Sequence, residues 1–400
     1  MILNLPFFLL EVLIMIQYLN FIGDIVPSYC QIIVFFLFLI SLFKDVKTLR
    51  KGFEISVVSI IIFIVVLIRC IMADKIDISY YSPMQAAIAR YQFMVFPFIY
   101  CYILKLDKNK KKILFNLSIT CILITVFISF YYMLLVDPQA VRNTQGVSYF
   151  GVGDFQLMYA IAVFMGPLLI FIINSPKKKF YIFNFICYSA CLLLCNLVTT
   201  WVIAAVSISL SMFIMCKSKK KYTIAISLLL LLLATKNLVV KFCIDIANSG
   251  IFYWSTSNKI MAIANVLSGN FTNIDTLSRR SMLINQSLTS FKENPLFGLD
   301  FREHVAGNVG CHSQWADDLA RYGIIGNFFI FLNYFYVVYY TLINSKHKFV
   351  KDALKVAWIT SLVLGFLNPC LSGTILMIIF VVIPSSAYIG KEEINENISN

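Results

Sequence analysis

The sequence is a succession of apolar segments, most of them close to the length of a membrane-spanning helix. A helix needs roughly 20 apolar residues to cross about 30 Å of hydrocarbon. Of the 400 residues 60% are hydrophobic and 13% are charged, against about 25% charged residues in a soluble domain. The sequence therefore predicts an all-α integral membrane protein with about twelve transmembrane helices. The predicted spans are 3–22, 25–43, 55–73, 86–104, 113–135, 150–173, 180–197, 199–216, 223–240, 322–344, 356–369 and 371–389.

Short clusters of Lys and Arg separate the spans and alternate with connections that carry few basic residues. The formal net charge of +13 therefore indicates topology and not a nucleic-acid partner, because the charges do not follow one face. Both termini are predicted to be cytoplasmic. One continuous helix over 180–216, whose two spans meet near Thr199, would instead reverse the later loops. The five clusters are Lys44/Lys47/Arg50/Lys51, Lys105/Lys108/Lys110/Lys111/Lys112, Lys177/Lys178/Lys179, Lys217/Lys219/Lys220/Lys221 and Lys346/Lys348/Lys351/Lys355.

The predicted organisation has four parts. Residues 1–240 form helices 1–9, 241–321 form one long external loop with short helices, 322–390 form helices 10–12, and 391–400 form a cytoplasmic tail. In so apolar a chain, a concentration of ionisable side chains on one loop indicates the functional region. The loop carries Arg279, Arg280, Glu293, Asp300, Arg302, Glu303, His304, His312, Asp317 and Asp318.

Further arginines stand near the external ends of predicted spans. Arg90 lies near the start of the fourth span, and Arg142 lies in the connection before the sixth, which begins near Asp154. Together with the long loop they predict an external site for an anion, since arginine binds phosphate bidentately. Arg69 and Lys236 lie near outer ends and are explained by snorkelling.

The cysteines predict packing and not metal binding. Eight of the eleven lie within apolar segments and no CxxC occurs, so they are interpreted as small apolar core residues. Cys243 and Cys311 lie at the two ends of the long loop, where a disulfide is an alternative in an oxidising compartment.

Two stretches of the long loop resemble a known family. The stretch 312–326, HSQWADDLARYGIIG, resembles the signature of the O-antigen ligase and polymerase superfamily, in which a His-Asn pair begins a short helix that ends in Gly-x-x-Gly eleven residues later. His312 and Gly323 have that spacing. Upstream, Arg279-Arg280 followed by Asn294-Pro295-Leu296-Phe297-Gly298 is similar to the family's Arg-to-Pro-Leu-x-Gly segment, and the register makes Arg280 the matching arginine.

The resemblance extends to Arg142 with Gly146, which is similar to the family's first external arginine loop. Two positions depart from the pattern. Ser313 stands in place of the usual Asn, and Asp300 stands where a second Gly is frequent. The serine removes any hydrogen bond that depends on a carboxamide, and the aspartate would add a carboxylate to the site.

The resemblance implies a GT-C-like, metal-independent glycosyltransferase of the bacterial inner membrane that needs no cofactor. Its donor would be an oligosaccharide on undecaprenyl diphosphate. His312 would accept a proton from the acceptor hydroxyl, and Arg280 would stabilise the leaving diphosphate. Further diphosphate contacts would come from Arg142, Arg90 and Arg279, and auxiliary acid–base groups from Glu303, Asp317 and Asp318.

Plainer interpretations remain open at this stage. His312 would only cap the helix that it begins, and Asp317 and Asp318 would pair with Arg321 on the surface. An O-antigen polymerase is preferred because the bias towards Ile, Phe, Lys, Asn and Tyr resembles that group, and its further partners would be a chain-length regulator and a flippase. The alternatives are an O-antigen ligase, which shares the motifs, and a polysaccharide flippase, which should carry its charges inside the bundle.

Overall fold

The computed structural model describes residues 5–72, 83–142, 149–216, 236–250, 254–268, 275–299, 309–310 and 312–389, and in these ranges the chain is helical without a strand. The helices follow the chain as α1 (Leu5–Tyr18), α2 (Asn20–Ile25), α3 (Ser28–Ser41), α4 (Val46–Met72), α5 (Pro83–Lys105), α6 (Lys108–Leu135), α7 (Phe155–Asn174), α8 (Lys178–Leu194), α9 (Val198–Met215), α10 (Lys236–Asn248), α11 (Trp254–Ser268), α12 (Asp275–Glu293), α13 (Gln314–Asn344), α14 (Lys348–Leu367) and α15 (Gly373–Met377), which runs on through a π-helical stretch (Ile378–Val382) to Ile389.

Four helices in the described part of the chain, α6, α7, α9 and α13, are long and apolar enough to cross a membrane. Four shorter apolar helices accompany them, namely Leu5–Tyr18, Tyr29–Lys44, Gln92–Lys105 and Gly373–Ile389. The protein is therefore a helical membrane protein. The twelve spans and the GT-C-like architecture stay predictions.

Several helices begin in the basic clusters, earlier than the apolar segments do. The predicted spans 55–73, 113–135 and 356–369 correspond to helices that begin at Val46, Lys108 and Lys348. Lysine and arginine are good helix formers, and their long side chains extend away from the apolar layer. Asp107 caps α6, because its carboxylate accepts a hydrogen bond from Lys110 N at 2.8 Å. The basic connections therefore shrink to tight turns.

The basic clusters in the described ranges lie at one end of the bundle, which we call the lysine end. Lys105 Nζ, at the end of α5, lies 2.7 Å from Asp45 Oδ1, just before α4. Lys111 on α6 and Lys346 after α13 are close enough for their charges to interact. At the opposite end α1, α6 and α14 finish, while α7, α13 and α15 begin.

The first described helix begins at the lysine end, and the last one finishes there. The Phe7 ring lies 5.8 Å from Lys110 Nζ, and the Tyr388 hydroxyl lies 3.4 Å from Asn116 Oδ1 near the start of α6. Residues near both ends of the chain therefore lie on the same side of the bundle.

The hairpin over 180–216 is formed by two helices. The helix is interrupted at residues 195–197, where Asn196 adopts a left-handed conformation with φ of 56°. Its Nδ2 donates to Pro138 O at 2.8 Å, which attaches the break to the connection after α6. The alternative of one continuous helix is therefore wrong.

Helix α7 is the centre of the core and packs against α8, α9 and α14. Small residues bring α7 and α9 together, because Gly166 N donates to Ser207 Oγ at 2.9 Å. A Cβ added to Gly166 would lie 2.3 Å from Ser207 O. Such close approach through small residues is typical of membrane helices, where side-chain packing and not water exclusion holds helices together.

Candidate functional site

The two stretches that carry the family resemblance meet directly in the structure. Helix α12 ends in a turn at 294–299, and α13 has a kink at Gly323. Leu299 N donates to Ala320 O at 2.9 Å, and Ile324 N donates to Pro295 O at 2.8 Å. We call this contact between 295–299 and 320–326 the turn–kink junction. Because its bonds are between backbones, the turn and the kink form one rigid unit.

Glycine is required on both sides of the junction. Gly298 has φ of 75° and Gly323 has φ of 61°, in the left-handed region that side chains disfavour. A Cβ on Gly298 would lie 2.3 Å from the Arg321 carbonyl carbon, and one on Gly323 would lie 2.4 Å from Leu296 O. The need for Gly298 and Gly323 in these two motifs is therefore explained by two backbones in contact. A Cβ on Gly326 would instead meet the side chain of Tyr322 in the same helix.

Ser313, and not His312, caps α13. The Ser313 hydroxyl accepts a hydrogen bond from Ala316 N at 3.4 Å and donates to Gly365 O at 3.3 Å on α14. Serine is among the best N-caps, so the departure from Asn is accommodated. His312 precedes the cap and its side chain is exposed. The N-cap bond of α13 is therefore made by Ser313, and the imidazole of His312 lies outside the helix on the protein surface.

A buried carboxylate ties α12 to the start of α13. Asp317 Oδ1 accepts from the Ser287 hydroxyl at 2.7 Å, and Oδ2 accepts from Ser313 N at 3.3 Å. Ser287 Oγ in turn accepts from Gly310 N at 2.9 Å. Hydrogen bonds to a carboxylate are stronger than neutral ones, so this network holds the backbone on both sides of His312 in place.

Asp317 and Asp318 are only 6% and 1% exposed. Asp318 Oδ2 accepts from Gln314 Nε2 at 3.0 Å, one turn earlier on the same helix. The two aspartates are therefore not surface groups, whereas their pairing with Arg321 stays a prediction. A positioning role fits both carboxylates better than direct proton transfer at an open site.

The two predicted arginines of α12 are distinguished by their register. Position 280 stands two turns before Ser287 and shares its face of the helix, whereas position 279 is rotated by about 100°. Leu283 lies on the same side, since a Cβ added to Gly310 would meet Leu283 O. The backbone register therefore favours Arg280 over Arg279, while the side chains of both lie outside the described part of the structure.

Of the remaining predicted site residues, the structure describes the side chain of Arg142 but not the others. Arg142 ends a short turn (Ala140–Arg142), is half-buried, and acts by its charge on Cys195 in the α8–α9 break. Helix α11 reaches the same break through the Thr256 hydroxyl, which donates to Asn196 O at 3.2 Å. Arg142 is thus at the opposite end, as predicted for an external residue. The Arg90 side chain, Asp300, Arg302, Glu303, His304 and Cys311 lie outside the described residues.

Cys243 is a free thiol in the structure. Among the described residues, no group of three or more His, Cys, Asp or Glu side chains is arranged to hold a metal ion. The candidate site is therefore built from backbone contacts, one exposed imidazole and buried carboxylates.

An apolar groove that the sequence did not indicate opens beside the turn–kink junction. It has a volume of about 430 Å³ and lies between α4 and α13. Phe297 of the turn and Tyr322 at the kink belong to both the groove and the junction. Sequence patterns do not show which distant helices pair, so this groove could not be predicted. Its other lining residues are Val58, Ile61, Ile62, Val65, Ile325, Gly326, Phe329, Ile330 and Leu332.

No protein-family model matches this chain, and a search of the curated proteins finds no match either.

Proposed function

We propose that this protein is a polysaccharide polymerase of the O-antigen type, which joins undecaprenyl-diphosphate-linked repeat units by glycosyl transfer. The observation that carries the proposal is the turn–kink junction. Two stretches that resemble one family only in sequence are joined in the structure by backbone hydrogen bonds. Beside these bonds, each stretch has a position that requires glycine. Chance likenesses in unrelated segments would have no reason to meet in this way.

The geometry suits transfer from a diphosphate. In the reaction, the bond between the sugar and the diphosphate breaks, the lipid diphosphate leaves with the electron pair, and an acceptor hydroxyl forms the new glycosidic bond. Arg280 neutralises charge on the leaving group, with Arg142, Arg90 and Arg279 as further contacts. The exposed His312 takes the proton from the hydroxyl, and Asp317 positions the backbone from which His312 extends.

The apolar groove suits the lipid of such a donor. A polyprenyl chain carries no hydrogen-bonding groups, so it gains by burial against aliphatic and aromatic side chains. Phe297 and Tyr322 connect the groove to the junction, so a chain lying there would hold its diphosphate near the start of α13.

The lysine end is proposed to be cytoplasmic, because basic residues accumulate on that side of membrane proteins. The opposite end, with His312 and Arg142, would then face the periplasm of the bacterial inner membrane, and both termini would be cytoplasmic. A chain-length regulator and a flippase are proposed as functional partners.

Loss of the gene is expected to leave lipopolysaccharide that carries a single repeat unit. Synthesis, flipping and ligation of the unit would still proceed, and only its polymerisation would stop. Gel electrophoresis of lipopolysaccharide from a deletion strain, with the plasmid-complemented strain as control, measures this. Bare core together with long lipid-linked polymer would identify a ligase, and lipid-linked units retained on the cytoplasmic leaflet would identify a flippase.

Filling the apolar groove is expected to weaken use of the lipid donor. Ile61 lines the groove and is exposed, so Ile61→Trp should displace part of a bound polyprenyl chain without disturbing the core. Loss of contact for about two methylene groups corresponds to a fall of about tenfold in kcat/KM for the lipid-linked donor. The assay is polymerisation by purified protein over a range of donor concentrations.

Ile64→Trp is the matched control, because Ile64 is exposed on the same helix and does not line the groove. Equal kcat/KM values in the two variants would contradict a role for the groove in binding the lipid.

A further inference from the structure

A polar cavity lies at the opposite end of the bundle and shares no lining residue with the turn–kink junction. It has a volume of about 260 Å³. Its walls come from the end of α1, from α2, from the connection between α6 and α7, and from the starts of α7 and α15. In so apolar a protein, a cavity with this lining suits a polar occupant. The polar side chains that line it include Gln17, Asn20, Asp24, Tyr149, Asp154 and Gln156.

The two carboxylates of this cavity are held by backbone hydrogen bonds. Asp24 Oδ2 accepts from Gly151 N at 2.7 Å. Asp154 caps α7, because its Oδ1 accepts from Leu157 N at 2.8 Å. Asn20 Nδ2 donates to Val152 O at 2.8 Å, between these two anchors. The acidic wall is therefore fixed in position before any ligand binds, which reduces the entropic cost of binding.

The charge of the lining excludes an anion. It comprises two carboxylates, three carboxamides, a phenol and a threonine, and none of these described lining residues is basic. The described lining therefore favours a neutral or cationic ligand over a diphosphate, and the nearest proposed diphosphate contact, Arg142, follows the lining residue Val141 without lining the cavity itself.

The lining fits a molecule rich in hydroxyl groups. Carboxylates accept hydrogen bonds from hydroxyls, and carboxamides both donate and accept. The volume is below the roughly 300–1,000 Å³ typical of pockets for drug-sized ligands, so it suits a single ring with its hydroxyls. A sugar ring has these properties.

The cavity and His312 lie on two sides of one connection. Thr374 at the start of α15 lines the cavity, and Gly365 near the end of α14 accepts a hydrogen bond from Ser313, the residue after His312. The cavity and His312 therefore lie at the same end of the bundle.

We propose that this cavity is a subsite for one neutral or amino sugar unit of the saccharide substrate. The assignment rests on the proposed glycosyl transfer. The cavity orients the saccharide through its hydroxyls, while the arginines that bind the diphosphate lie outside its lining. Asp24 and Asp154 set its preference for uncharged or cationic sugars over acidic ones.

The test uses the purified full-length protein and two probes. The first is the oligosaccharide released by mild acid from the host's own surface polysaccharide, and the second is inorganic pyrophosphate. Asp24→Asn with Asp154→Asn keeps an oxygen for each backbone bond and removes both charges. Binding of the oligosaccharide, measured by saturation-transfer NMR and calorimetry, should weaken about tenfold, while pyrophosphate binding should be unchanged. Thermal unfolding of the variant should stay close to that of the unsubstituted protein.

Asp107→Asn is the matched control, because Asp107 caps α6 at the lysine end with the same 2.8 Å bond to a backbone N–H three residues on. It should bind the oligosaccharide like the unsubstituted protein. His312→Ala should also keep oligosaccharide binding while losing polymerisation.

The outcomes separate the subsite from the proposed function. Equal oligosaccharide affinity with and without the two cavity substitutions, or no binding to the unsubstituted protein, overturns the subsite. Stabilisation by Na⁺ that depends on Asp24 and Asp154, without a saccharide effect, shows a cation site and also overturns it. If polymerisation is retained in the cavity variant but lost in His312→Ala, the subsite proposal is overturned and the proposed function is not. A deletion strain with normal polymer sinks the proposed function.

Discussion

Replacing His312 or Arg280 with alanine is expected to abolish polymerisation while the protein still accumulates in the membrane. His312 is exposed, and the buried Asp317 network holds its backbone, so the imidazole is placed where it can act as a base. Loss of one preorganised donor such as Arg280 costs about 10²–10³ in rate. The measurement is the chain-length distribution of surface polysaccharide at matched protein levels.

Two further variants make the arginine result specific. Arg280→Lys keeps the charge but not the planar fork, so it should recover only part of the activity if the contact is bidentate. Arg279→Ala should be milder, because position 279 lies off the face of α12 that carries Ser287. If His312→Ala retains near-normal chain length, histidine is not the base. Because Asp317 and Asp318 are buried and hydrogen-bonded, Glu303 would then be the first alternative.

Gly298→Ala is expected to disrupt the turn–kink junction and to remove most polymerisation. The left-handed backbone by itself costs an alanine about 1–2 kcal/mol. In addition, the new Cβ would lie 2.3 Å from the Arg321 backbone, and forced overpacking costs typically 1–3 kcal/mol more. Thermal unfolding should therefore shift to lower temperature, and chain length should fall at matched expression.

Gly250→Ala is the matched control, because it separates the cost of a left-handed backbone from the cost of the contact with Arg321. Gly250 has φ of 71°, close to the 75° of Gly298, but nothing lies within 4 Å of an added Cβ. It should show only the strain cost and keep near-normal polymer. Equal losses in both variants would mean that the junction contact does not matter and that any strained glycine has the same effect.

The apolar pattern predicts the class of protein, and in the described ranges the positions of the helices follow it closely. Residues 223–235 of the predicted span 223–240 lie outside those ranges. Where helix ends differ, as at Val46 and Lys348, the reason is local: basic residues continue a helix that the apolar count alone would begin later. The sequence alone did not decide whether 180–216 forms two helices or one, because no glycine or proline marks the break between α8 and α9. It became clear only from the left-handed Asn196 and its bond to the connection after α6.

The candidate site was predicted in part. Motif spacing indicated Arg280, His312 and the glycines around them, because short stretches of backbone impose fixed spacings. Burial reversed the surface interpretation of Asp317 and Asp318, whose helical spacing to Arg321 suits an exposed pair equally well. The capping hydroxyl of Ser313 also donates a hydrogen bond to Gly365 O of another helix. A local sequence pattern cannot predict such a distant partner.

By itself the sequence determined that the chain is a bundle of membrane helices, that its basic clusters occur in alternate connections, and that one long polar segment brings acidic, basic and histidine residues together. These features depend on local composition and on the thickness of a bilayer. Only the tertiary structure decided that the turn and the kink touch, that α4 and α13 enclose an apolar groove, and that Asp24 and Asp154 line one polar cavity. Contacts between residues far apart in the chain depend on which helices pack together, and near-uniform apolar segments carry little information about their partners.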